Sequence, residues 1–380
     1  MLHREHQNSK AVHAYQRALK VAPELDHVWF NLAQAQRAAG DLDGCRVSLE
    51  RSLETLPVGA GKDGAQRSAA THMLTALDEV AARTATSMDE SYVRDLFDTY
   101  AVDYDQHVKK LLFSAPRVIR QEVAAMYKQD GKFNFADPTT WSTEQAGVMA
   151  NAVEQVKSVD KNGRDNSDDD GVDDDDDACP EASGFTQAES GCGIVPPDAS
   201  GPLDVLDLGC GTGLAGSWLK DYAKSLQGVD VSPGMVACAR KKALYTDLEV
   251  NSMQRYLVQS IQEGRVDDNG WDLVVAADSF AYIGALRGVL QSALQVVRPG
   301  GLLVFTTEAV PDDLPVDESR GFRLLPSGRF GHTREYLEES LREAAAAAGL
   351  QYGVRLSRAF SPRLDVGQPV PGWLFIVERK

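Results

Sequence analysis

The chain has 380 residues, of which 43% are hydrophobic, 25% charged and 7% aromatic, with a formal net charge of -17. This is the composition of a globular chain long enough for two or three cores, and it excludes a disulfide mini-protein or a collagen-like fibre. Between Asn151 and Ser200 stand 14 acidic and 3 basic residues, and with no basic stripe elsewhere, nucleic acid and anionic membrane surfaces are not expected partners. The five cysteines, 45, 179, 192, 210 and 238, show neither a disulfide framework nor zinc-ligand spacing, so no metal site is expected from them. The N-terminus lacks an apolar leader segment and no run of 18 apolar residues occurs, so a cytoplasmic location is expected.

The first organised feature is a 34-residue period. Ala18, Leu19 and Pro23 recur as Ser52, Leu53 and Pro57, and Ala11 recurs as Cys45. Trp29 to Pro57 reads as two amphipathic helices around a Gly40-Asp41 turn, with small Ala33 and Cys45 where the helices approach. Length and pattern resemble a tetratricopeptide repeat, and residues 1–85 hold about one and a half of them, with Ala65 to Val80 supplying a further helix. So short an array must dock on the next domain, dimerise, or belong to a longer array. The resemblance implies a surface for a peptide or protein partner.

Residues 88–130 follow as a helical extension, with Val93, Leu96, Phe97, Tyr100, Tyr104 and Val108 at helix-like spacings. From about Gly131 to Gly201 periodicity disappears, and the segment reads as an acidic, largely disordered insertion. Within it Asp165 to Ser183 resembles one copy of the aspartate-rich calcium repeats of thrombospondin type 3. One copy lacks the neighbours that complete coordination, and the simpler reading is a self-repelling acidic linker.

Residues 202–380 read as an α/β domain. Strand-like runs at Val205 to Leu208, Leu226 to Val229, Leu273 to Ala276 and Leu302 to Phe305 alternate with helical stretches. A helix near Thr333 to Ala348 and a last strand near Trp373 to Val377 follow. A doubly wound, Rossmann-like sheet of seven strands is the expected closure.

The chemistry is concentrated in Val205 to Gly213, VLDLGCGTG. A strand ends on Asp207, and Gly209, Gly211 and Gly213 let the backbone turn tightly before a helix at Leu214. Position 214 is Leu, so the glycine spacing of nicotinamide and flavin sites is not met. Seventeen residues beyond Gly213, Asp230 ends the next strand, where a carboxylate can receive two hydrogen bonds from a ribose diol.

LDLGCGTG, Gly228 to Ser232, Asp272 to Gly284 and Val297 to Glu308 together resemble the class I S-adenosylmethionine-dependent methyltransferases in order and spacing. The segments around His332, Tyr104 and the C-terminal PVPGWLFIVER narrow the resemblance to methyltransferases with N-terminal tetratricopeptide repeats, a subfamily whose acceptor the name does not supply. The resemblance implies S-adenosylmethionine as cofactor. The backbone of Gly209, Cys210 and Gly211 would cradle its methionine part, with Gly213 closing the turn and Asp207 orienting the ammonium. Asp230 would take the ribose hydroxyls, Val231 and Met235 the adenine faces and Asn251 the adenine amine. Asp278 would face the acceptor, under an aromatic cover of Tyr100 and Tyr104.

Methyl transfer from a sulfonium is an in-line displacement, so a base is needed only for a protonated nucleophile. His332, in the setting of Arg329, Gly331 and Tyr336, is the first candidate base; His107 and Tyr282 are the others, and a structural histidine is the competing reading for His332. Asp278-Ser279-Phe280-Ala281 stands where N-P-P-Y would mark methylation of base amines or glutamine amides. Small-molecule oxygen, nitrogen or carbon acceptors and protein side chains stay open. The alternative function is a scaffold that uses its repeats and carries a cofactor-sensing or inactive Rossmann-like domain.

Overall fold

The computed structural model describes residues 2–56, 62–130, 201–317, 319–365 and 368–380. The acidic segment, including Asp165 to Ser183, lies outside the described residues. The chain divides into two compact units, Met1–Ile119 with Glu181–Lys380, and Arg120–Pro180. The described part of the second unit is helical to Gln129. All that follows concerns the first.

Four helices open the chain: α1 (Leu2–Val21), α2 (Asp26–Ala38), α3 (Leu42–Thr55) and α4 (Lys62–Leu77). Gly40 turns the chain between α2 and α3 at φ +80°, and the Asp41 carboxylate caps α3 by accepting from Gly44 N at 2.8 Å. Ala33, Cys45, Leu49 and Ala70 are fully buried where α2, α3 and α4 meet, with Phe30, Leu53 and Met73 around them. Small residues let these helices approach, and α2 and α3 form a helix-turn-helix around Gly40-Asp41.

Three short helices follow, α5 (Glu79–Thr84), α6 (Glu90–Tyr100) and α7 (Tyr104–Lys110), then α8 (Ala115–Gln129). Asp89 caps α6, its Oδ1 accepting from Ser91 N at 2.9 Å and Tyr92 N at 3.2 Å. Asp89→Ala is expected to cost about 1 kcal/mol in chemical denaturation.

The α/β part builds one nine-stranded sheet. Its main path joins β3 (Asp247–Val250), β2 (Ala223–Asp230), β1 (Leu203–Leu208), β4 (Trp271–Ala276), β5 (Val297–Ala309), β11 (Gly372–Arg379) and β8 (Tyr352–Phe360), in that order. β1 to β5 are parallel, whereas β11 runs antiparallel to both β5 and β8. The strand order reverses at β1, between β2 and β4, and this is the switch point where ligands settle in such sheets. A sheet of seven strands was expected; the hairpin β6 (Phe322–Leu324) and β7 (Phe330–His332), which pairs with β5, makes it nine among the described residues. A separate pair, β9 (Leu364–Asp365) and β10 (Gln368–Pro369), completes the strands.

Helices α9 (Leu214–Leu219), α10 (Pro233–Lys241), α11 (Met253–Gln262), α12 (Arg287–Val296) and α13 (Arg334–Ala348) connect them. The main core joins Leu206, Val274, Leu303, Phe305 and Phe375 of the sheet to Leu257, Leu290, Leu337 and Leu341 of the helices, all fully buried. The opening helices dock on this domain rather than standing apart. Ala76, Ala82, Met88 and Tyr92 share a cluster with Phe322, Leu324 and Phe330 of the β6–β7 hairpin. Arg323, 2% exposed, donates to Glu79 Oε2 at 3.0 Å, and His72 Nε2 meets Gly328 O at 2.8 Å. No helix among the described residues is long and apolar enough to cross a membrane.

Candidate functional site

A cavity of about 480 Å3 opens at the switch point. The glycine loop after β1 forms its floor. Gly209, Gly211 and Gly213 have φ of +72°, +54° and +86°, values side-chain-bearing residues avoid. Gly209 has a second constraint, since a Cβ there would stand 2.5 Å from Ser279 Cβ. At Gly211 a Cβ would meet nothing within 4 Å, because this glycine faces the cavity. Gly209 N and Cys210 N donate to Val229 O at 2.8 and 3.0 Å, tying the loop to the end of β2.

Asp230 ends β2 and lines the cavity. Its Oδ2 accepts from Gly211 N and its Oδ1 from Ser232 N, both at 2.9 Å, which leaves each oxygen a free lone pair. Burial raises its pKa from 3.8 to about 6, against the pull of the Ser232, Gly211 and Val231 amides. Asp207, deeper and 0% exposed, receives the Tyr245 hydroxyl on Oδ2 at 2.7 Å, while its Oδ1 has no partner. Its pKa is raised to about 7, again chiefly by burial.

Ser232 caps α10, taking the Met235 amide at 3.0 Å, and Val231 and Met235 supply apolar wall. Helices α6 and α7 roof the cavity with Val93, Phe97 and Tyr104. Two carboxylates bolt that roof to the floor: Asp98 receives Gly234 N at 2.9 Å and the Ser232 hydroxyl, and Asp105 receives the Thr212 hydroxyl and the Lys242 ammonium.

At the far end stands Asp278, immediately after β4. It adopts φ +60°, rare for a residue with a side chain, and its amide donates to Thr306 Oγ1 at 2.8 Å. Arg363 Nη1 donates to both its carboxylate oxygens, at 3.2 and 3.1 Å, while Arg363 Nη2 donates to Glu308 Oε1. Tyr282, beside Asp278 in the wall, accepts from Arg329 Nε at 3.0 Å, and Arg329 in turn lies 3.6 Å from Glu308. The Tyr282 ring meets Phe97 edge-on at 5.1 Å between centroids.

The structure thus brings Gly209, Gly211, Asp230, Val231, Met235, Tyr104, Asp278 and Tyr282 to one cavity. Cys210 and Gly213 shape the loop without lining it; Gly213 opens α9, and Cys210 is 4% exposed with its thiol pushed well above the ordinary range by burial. Four expectations need correction. Tyr100 is 42% exposed and pairs with the equally outward His107, because the chain breaks helix at residues 101–103 and Phe97 takes the inward place. His107 is therefore no base candidate. His332 is 0% exposed on β7, its Nε2 bonded to the carbonyls of Ile283 and Gly284 at 3.0 and 3.1 Å and its ring stacked on Tyr336; burial lowers its pKa to about 4. It does not line the cavity and reads as a structural histidine. Asn251 does not line the cavity, where Ser252, Met253 and Gln254 stand instead; its Nδ2 donates to Glu249 at 2.8 Å. Sequence reasoning missed Tyr245, Arg363 and Glu308, although Glu308 ends a quoted segment.

Residues 206–305 match a family model described as a methyltransferase domain. Over 104 residues the chain is 31% identical to the ubiquinone biosynthesis O-methyltransferase of Cronobacter sakazakii, covering 27% of this chain and 41% of that one. It is 29% identical over 112 residues to the malonyl-[acyl-carrier protein] O-methyltransferase of Acetivibrio thermocellus, covering 29% and 37%. The chain thus spans less than half the length of these two curated relatives. A solved S-adenosylmethionine-dependent methyltransferase from Mesorhizobium loti aligns at 19% identity over 49% of this chain and 94% of that one, with a TM-score of 0.36. The matched residues, 206–305, run from β1 into β5 and carry the glycine loop, Asp230 and Asp278.

Proposed function

We propose that the protein transfers a methyl group from S-adenosylmethionine to a small-molecule or protein acceptor, with the opening helices, read as tetratricopeptide-type repeats, serving as a docking surface for a substrate or partner. The observation that carries this reading is Asp230, presented to the switch-point cavity by the Gly211 and Ser232 amides with lone pairs to spare. Once bound, the cofactor supplies a methyl group already activated by a sulfonium.

The chain's own residues bind, orient and exclude water. Asp230 accepts from ribose hydroxyls. Gly211 leaves the space that an approaching ligand backbone needs. The orphaned Oδ1 of Asp207 is a buried acceptor awaiting an N–H donor, directly or through water. Val231 and Met235 give apolar faces to the adenine, and Phe97 and Tyr104 close the roof. Positioning carries most of the acceleration in such a displacement. At the acceptor end Tyr282 keeps its proton, since burial raises its pKa above the ordinary 10.

Calorimetric titration tests this reading directly. Micromolar binding of S-adenosylmethionine and S-adenosylhomocysteine is expected, with none of NAD and none to Gly211→Asp. Asp230→Ala is expected to weaken the cofactor by at least about 1.5 kcal/mol, the scale of a hydrogen bond to a charged group. A folded protein that binds neither compound would instead be the scaffold.

A further inference from the structure

Behind the far wall of the cavity lies a network that cofactor binding does not use. Arg363, 3% exposed in its side chain, holds Asp278 and Glu308; Arg329 stands 3.6 Å from the same Glu308 oxygen, Oε1, and holds Tyr282. Two guanidinium cations face two carboxylates, so the network has no net charge. Its two outlets into the cavity are Asp278 and Tyr282. Because Arg329 Nε donates to the Tyr282 oxygen, the phenol must direct its own proton elsewhere, and among the described residues nothing receives it. Asp278, with Arg363 Nη1 shared between its oxygens, keeps lone pairs for a donor. The wall also holds apolar Met88, Val93, Phe97 and Ile283, with Ser87 and Glu90 beside them, the Glu90 carboxylate already paired with Arg255.

Resting on the methyltransferase reading, we propose that this end of the cavity recognises a neutral hydroxyl group on a small apolar acceptor, the acceptor oxygen taking the Tyr282 proton and its O–H facing Asp278. Arg329, Arg363 and Glu308 are positioning residues that fix these two polarities. A carboxylate acceptor is disfavoured because the two buried cations are already matched, and its desolvation would go uncompensated. An ammonium acceptor would have no carboxylate to itself, and it would face the Tyr282 hydroxyl proton.

The probes are 4-methylphenol, 4-methylbenzyl alcohol, 4-methylbenzoate and 4-methylbenzylamine, titrated calorimetrically into the complex with S-adenosylhomocysteine. One or both hydroxyl probes are expected to bind at least about tenfold tighter than the charged pair. Tyr282→Phe is expected to abolish that preference. Glu308→Gln leaves one surplus cation, and 4-methylbenzoate is expected to gain at least about tenfold, a gain that structural damage would not produce. Preference for a charged probe, equal binding of all four, or no binding of any overturns the proposal; so does a Tyr282→Phe protein with the preference intact. Failure of S-adenosylhomocysteine itself to bind overturns the cofactor reading instead, and the two failures are told apart in the same titration series.

Discussion

Arg363→Leu is expected to lower the free energy of unfolding by about 3–5 kcal/mol, among the largest losses any single substitution produces. Asp278 and Glu308 have side chains only 11% and 2% exposed, and Arg363 is the cation both share. Removing it leaves two buried carboxylates with Arg329, 3.6 Å from Glu308, as the remaining counter-charge. Arg363→Lys keeps the charge but cannot span both partners as a planar fork does, so it should recover part of the loss. Urea denaturation of the three proteins at neutral pH measures this. A loss below about 1 kcal/mol for the leucine variant would mean that the network is open to water.

The second large effect is a dependence on pH. In the unfolded chain Asp207 ionises near its ordinary 3.8; folded, burial holds it protonated to about 7. Between those values the folded protein keeps a proton that the unfolded chain has released. The contribution of Asp207 to stability is therefore complete below pH 4, falls as pH rises to about 7, and is level beyond. A shift of this size corresponds to a loss of about 4 kcal/mol, and Asp230 acts in the same direction. Asp207→Asn cannot ionise, so its stability should fall less between pH 4.5 and 7.5 than that of the natural chain. Parallel slopes would show that the Asp207 carboxyl is not held protonated.

How far the site could be read in advance depended on whether its information is local. The loop from Asp207 to Gly213 was legible because glycines at positive φ and an apolar strand declare themselves within nine residues. Asp230 followed from the same unit, one strand on. Tyr100 misled because spacing alone suggests a continuous helix, and the break at residues 101–103 rotates the next turn. His332 misled because Arg329, Gly331 and Tyr336 look like a substrate loop in one dimension. Phe330 to His332 become a strand when β7 pairs with β5 and β6, and Tyr336, from α13, then covers the imidazole. Arg363 gave no signal at all. It lies 85 positions from Asp278 and reaches it because the chain around Pro362 is pinned to the α7–α8 connection, Ser114 N donating to Pro362 O at 2.8 Å and Leu364 N to Leu111 O at 2.7 Å.

The β6–β7 hairpin presents its turn to His72 of α4 and its Arg329 to Tyr282 in the cavity wall. The segment before α6 is stitched to the chain beyond β4 as well, where Gly284 N and Ala285 N both donate to Thr86 O. The α/β part is therefore not a cassette that can be cut free at residue 202. A fragment that began there would lack the roof of its cavity and one support of the arm that orients Tyr282. Conversely, a change at His72 of α4 reaches the turn of the hairpin whose Arg329 holds Tyr282, so the opening helices and the cavity wall share one support.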